Sequence, residues 1–176
     1  MSRLNQRINK LIREFNETWE IDIQISRILH WNKSGAQYTW FKHKGWLHIN
    51  PDQSFENIKE DVFHELGHAL IHQYRINHSY LRFFHDDSPK HSLTFINNME
   101  EKDELPYYGF VSWYSTLNGT EDFCETLSAY VTNNYSFKKM YYNYEKIPVG
   151  DQPKLQKKLF IIYDLLDTAS QRIRLG

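Results

Sequence analysis

Residues 60–74 read Glu60-Asp-Val-Phe-His64-Glu65-Leu-Gly-His68-Ala-Leu-Ile-His72-Gln-Tyr74, and the arrangement of the rest of the chain follows from this stretch. Ile58, Val62, Leu66, Ala69 and Leu70 recur at helical spacing, which predicts a helix from about 55 to 74 with an apolar stripe. Within it, His64-Glu65-Leu66-Gly67-His68 is an H-E-x-x-H pattern. Positions i and i+4 project from one helix face, about one turn apart. Two imidazoles placed this way can converge on one ion, of which zinc is the usual choice. Glu65, beside the first of them, is placed to take a proton from an attacking water rather than to bind the ion. The bland alternative is a pair of surface histidines. The apolar stripe around the motif and the strand pattern before it weigh against that.

Working outward, Asp52 or Ser54 can cap this helix. Leu4, Ile8, Leu11, Ile12 and Phe15 predict a first helix over 3–18, and Ile21, Ile23 and Ile25 alternate as in a half-buried strand. After a turn at Lys33-Ser34-Gly35, residues 36–43 and 45–49 read as a hairpin around His43-Lys44-Gly45. Trp46 and His48 alternate there with Leu47 and Ile49, leaving one polar-aromatic face. Residues 77–110 are polar and irregular, with a short helix expected near 90–99 and a solvated acidic run at Glu100–Glu104. Asn118-Gly119-Thr120 followed by Glu121 and Asp122 predicts a helix start, and that helix should reach about Asn133. Leu155, Leu159, Ile162, Leu166, Ala169 and Ile173 define a last helix over 152–174. The order of elements predicts one α+β domain over 1–176.

Composition narrows the classes. The 21 basic and 22 acidic residues are mixed along the chain, which argues against a nucleic-acid partner. No run approaches the ~18 apolar residues of a membrane span. The first residues lack the apolar segment of a signal peptide, and the single cysteine, Cys124, fits a reducing compartment, so the expectation is a cytoplasmic protein. Aromatic residues make up 16% of the chain, enough for the core and some contact surface.

A catalytic zinc takes three protein ligands and keeps one open position. The extended pattern H-E-x-x-H-x-x-G-x-x-H is excluded, because Ile71 and Tyr74 stand where glycine and histidine would be. His72 lies four residues past His68 but drifts around the helix axis, so it reads as packing or solvent-exposed. Glu121 and Glu125 share a face of their predicted helix. Two carboxylates there repel unless a cation or hydrogen bonds join them. One could bind the ion while the other orients a ligand histidine.

With these residues in hand, the chain resembles the glutamate-zincin peptidases, and among them the catalytic domain of anthrax lethal factor and the Pro-Pro endopeptidases. The segments that carry the resemblance are His64-Glu-Leu-Gly-His68, Gly109-Phe-Val-Ser-Trp-Tyr114 and Glu121-Asp-Phe-Cys-Glu125, and the match covers roughly residues 45–131. It implies a zinc endopeptidase acting on a protein or peptide. His64, His68 and Glu121 would hold Zn2+, with Glu65 as general base, Glu125 behind the ligands and Tyr114 donating to the oxyanion. The arm carrying Trp46, Leu47 and His48 would be the edge strand that pairs with substrate. Trp113, Tyr107, Tyr108 and Phe110 could line the cleft. Cys124 departs from the small residue usual at its position, and the expected secretion signal is missing.

Overall fold

The computed structural model describes residues 2–77, 79, 81, 82, 85, 110–133 and 152–175, with side chains of the last helix described from 158 to 171. The element order is α1 (Arg3–Trp19), β1 (Ile25–His30), β2 (Ala36–Phe41), β3 (Lys44–Ile49), α2 (Phe55–Gln73), a 3-10 turn (Tyr114–Thr116), α3 (Gly119–Thr132) and α4 (Gln152–Leu175). This is the expected α+β class. The helix expected near 90–99, the acidic run 100–104, Tyr107 and Tyr108 lie outside the described residues. The chain forms two compact units, Met1–Ile76 with Asp164–Gly176, and Asn77–Tyr163.

In the first unit the sheet order is β1-β3-β2, with β1 parallel and β2 antiparallel to β3. Cross-strand partners share a face, so Tyr38 and Leu47 point to one side, and Thr39, Trp46 and Arg27 to the other. The first side is the core: Leu47 and Ile49 are fully buried there with Ile8, Ile58, Val62, Leu66 and Leu70 from α1 and α2. Phe15 of α1 meets Phe63 of α2 at 5.7 Å between ring centroids. Ser2 and Ser54 cap α1 and α2, each accepting from a backbone amide three residues on.

Two strand readings change. Ile21 and Ile23 are buried, but the ladder begins only at Ile25. Asn16 explains this: its side chain bonds both the amide and the carbonyl of Ile23, satisfying that backbone from α1 instead of from a strand. The hairpin turn is Lys42–His43, not His43–Gly45. Both turn residues have positive φ, 48° and 61°. A two-residue hairpin of this hand favours Asn-Gly at those sites. Gly45 lies inside β3 because a Cβ there would stand 2.9 Å from the Tyr38 ring and 2.8 Å from the Gln24 carbonyl. Replacing Lys42-His43 by Asn-Gly is expected to raise stability by about 1 kcal/mol, read by denaturant unfolding. No gain would mean that the turn carries no strain.

In the second unit, α3 is capped by Asn118, whose side chain accepts from Thr120 and Glu121 amides. Gly119 opens the helix at close quarters: a Cβ on it would lie 2.2 Å from the Leu81 carbonyl oxygen. Among the described residues, no helix is long and apolar enough to cross a membrane.

Candidate metal centre

α2 is buried around much of its circumference, and the motif sits in its middle. His64 is 9% exposed and Glu65 7%. The Nε2 atoms of His64 and His68 stand 3.2 Å apart, with the rings inclined at 63°. Two nitrogens bound to one tetrahedral zinc at 2.0–2.1 Å would be separated by about 3.3–3.4 Å. The two rings therefore already hold the spacing of a ligand pair. One turn of helix brings the side chains into register.

Glu65 points elsewhere on the helix. Its Oε2 accepts a hydrogen bond from the Tyr38 backbone amide in β2 at 2.6 Å. Tyr38 is tied to α2 a second time, with its hydroxyl accepting from Gln73 Nε2 at 3.4 Å. Burial pushes the Tyr38 hydroxyl above its ordinary value, so it stays neutral. The Tyr38 amide faces away from β3, so among the described residues β2 lies at the sheet edge beside the motif helix, its outer side held at Tyr38 by Glu65. The expectation that Trp46, Leu47 and His48 form the edge strand is thereby corrected. β3 is flanked by β1 and β2, and its backbone bonds are used on both sides. Adjacency in sequence pointed to a simple hairpin edge, whereas β1 crosses over β2 to pair with β3. Tyr38 was missed for the same reason. The signal for it was Gly45, which leaves room for a ring.

In the second unit, Glu121 sits in the first turn of α3, half-buried. Cys124 and Glu125 follow at i+3 and i+4, on the same helix face, with Cys124 fully buried. Asp122, one residue on, faces away into the core of its unit. Its Oδ1 accepts from Lys158 Nζ at 2.5 Å and from Thr126 Oγ1 at 3.3 Å, and its Oδ2 stands 3.3 Å from His85 Nδ1. A cleft of about 650 Å3 lies at the start of α3, bordered by Arg82, His85, Leu117 and Glu121. Tyr114 heads the 3-10 turn and is 49% exposed, with Trp113 beside it at 41%. Phe110, expected at a cleft wall, is buried.

A family model described as "Putative zinc-binding metallo-peptidase" matches residues 18–170. The chain belongs to this family. Among solved structures, this zinc-binding metallo-peptidase family member is similar to one described as "a putative zinc-binding metallo-peptidase from Bacteroides caccae", at 14% identity and a TM-score of 0.59. The similarity covers 96% of this chain and 74% of that one, and it shows a shared fold. Among curated proteins, none matches the sequence. For a metallo-peptidase of this family, a protein or peptide is the substrate class and zinc the metal. The chain offers His64 and His68 on α2, and Glu121, Cys124 and Glu125 on one face of α3. His72 is exposed and packs its ring against Tyr38 at 5.6 Å, in keeping with its reading as a packing residue.

Proposed function

We propose that this chain is a single-domain, zinc-dependent endopeptidase of the glutamate-zincin kind, in which His64, His68 and Glu121 hold the metal. The reading is carried by the 3.2 Å approach of the two Nε2 atoms on the motif helix, with Glu65 between them in sequence. The family supports the chemistry. The similarity to lethal factor-type domains supports Glu121 as the third ligand.

Zinc, when bound, supplies a Lewis acid that brings the ionisation of water towards neutral pH. Glu65 takes the proton of the attacking water and returns it to the leaving amine. Tyr114 donates its hydroxyl to the developing oxyanion. Glu125 orients a ligand histidine through its second ring nitrogen. The outer edge of β2, beyond the Tyr38 amide that Glu65 already holds, receives the peptide backbone, replacing β3 in that role.

The test of the ligand set is metal content after dialysis. Glu121→Ala should lower bound zinc far more than His72→Ala. Cys124→Ser is the third arm, because that buried thiol shares the face of Glu121. A larger loss for Cys124→Ser would move the third ligand to sulfur, and a larger loss for His72→Ala would move it to α2. A second reading, a zinc-stabilised module without turnover, draws on one observation: the Glu65 carboxylate clamps β2 through the Tyr38 amide. A chelator that lowers the melting temperature of a chain that cleaves no peptide would favour the module. Chelator-sensitive cleavage at unchanged stability would favour the enzyme.

A further inference from the structure

The even charge balance of the whole chain conceals a local segregation. Between Ile23 and Pro51 there are four Lys or Arg, three His and no acidic residue, so the remaining 17 basic and 22 acidic residues give the rest of the chain −5. The sheet is built from this segment. Its core face is occupied by α1 and α2. Its opposite face carries Arg27, Thr39, Phe41, Lys44, Trp46 and His48, by strand alternation and register.

Four rings form a stripe on that face. Phe41 and Trp46 stand 6.1 Å apart, and His48 and Trp31 5.6 Å apart. Trp46 and His48 are two residues apart on β3, a spacing of about 6.6–6.8 Å. The Trp31 indole is fixed by a bond from Nε1 to the Gly35 carbonyl, and His48 Nε2 by Thr39 Oγ1 at 3.3 Å. Each of the other three rings has a cation over it: Arg27 over Trp46 at 5.5 Å, Lys33 over Trp31 at 5.7 Å and Lys42 over Phe41 at 5.2 Å. Among the described residues none of these cations, nor Lys44, joins a salt bridge. Phe41 is 54% exposed, and Trp31, Trp46 and His48 are half-buried.

We propose that this sheet face binds single-stranded nucleic acid. Four flat rings in a row, three of them flanked by a cation, match a ligand that alternates flat bases with phosphates. An acidic peptide would use the cations and leave the rings idle. A duplex would hide its bases from them. Arg27, Lys33, Lys42 and Lys44 would pair with phosphates, and Phe41, Trp46, His48 and Trp31 would carry bases. The sequence expectation of no nucleic-acid partner rested on the charges of the whole chain, which the sheet sorts onto one face.

The test uses the full chain with labelled oligo-dT and oligo-U of about 12 nucleotides, read by anisotropy and by tryptophan quenching. Binding is expected with a Kd on the order of 10⁻⁵ M near physiological salt, and a slope of log K against log salt near −2.8 for four phosphates. Phe41→Ser should weaken it by about 5- to 150-fold. Arg27→Ser with Lys33→Ser and Lys42→Ser should flatten the salt slope to about −0.7. Preference for oligo-U over oligo-dT, or the reverse, identifies RNA or DNA as the ligand. Equal or tighter binding of poly-glutamate, duplex DNA or anionic vesicles overturns the proposal. So does unquenched tryptophan, or unchanged binding in the Phe41 or triple variant with circular dichroism intact.

Discussion

Glu65→Gln is expected to retain zinc and fold normally while losing about 10²–10⁴-fold in kcat. Glutamine keeps the length and shape of the side chain, and its carbonyl oxygen can still accept from the Tyr38 amide, which now sits 2.6 Å from the Glu65 carboxylate. The β2 clamp therefore survives the change. What glutamine cannot do is take a proton from water. Glu65→Ala is the companion variant. It removes both functions, so it should lose activity and, by leaving the buried Tyr38 amide without its acceptor, about 1–3 kcal/mol of stability as well. If Glu65→Gln cleaves peptides at a near-normal rate while Glu65→Ala is unstable, Glu65 is a structural clamp and the general-base role is lost. The readouts are metal analysis, denaturant unfolding and peptide cleavage measured on the same preparations.

The parts of this fold legible in the sequence are those written in local periodicity. α1, α2, α3 and α4 fall within about one or two residues of their predicted ranges, because α1, α2 and α4 carry an apolar repeat and α3 an Asn118 start signal with an acidic first turn. The His64–His68 pairing was legible for the same reason, since a helix fixes the i, i+4 relation without help from the rest of the chain. The sheet was less legible. Strand order depends on which backbone satisfies which, and Asn16 withdraws Ile23 from the ladder by a bond no alternation pattern reveals. The edge strand was misassigned because β1 pairs with β3 over β2, a long-range choice. The turn at Lys42–His43 was displaced because its residues are poor at positive φ and Gly45 drew the prediction towards itself.

Asp122 shows the same limit at the level of one residue, and the second large effect follows from it. In sequence it reads as the second acid of a helix start, a partner to Glu121. In the structure it and Lys158 are both fully buried, with Lys158 Nζ 2.5 Å from Asp122 Oδ1 and 5.1 Å from the centre of the Phe110 ring. Burial pushes the Lys158 ammonium below its ordinary value, and the Asp122 carboxylate pulls it back towards the charged form. Taking both ions out of water costs several kcal/mol each, and their contact offsets this only while both are present. Lys158→Met keeps the length of the side chain and removes the charge, leaving the buried carboxylate without its ammonium partner. A loss of about 3–5 kcal/mol is expected, a large share of the 5–15 kcal/mol typical of a folded domain. Asp122→Leu in the same chain removes that uncompensated charge, so the double variant should recover most of that loss, with the bonds to Thr126 and His85 left unmade. Denaturant unfolding of the wild type, both singles and the double closes the cycle. A Lys158→Met loss under about 1 kcal/mol would mean that water reaches the pair, and no recovery in the double variant would mean that Asp122 holds the start of α3 chiefly through Thr126 and His85.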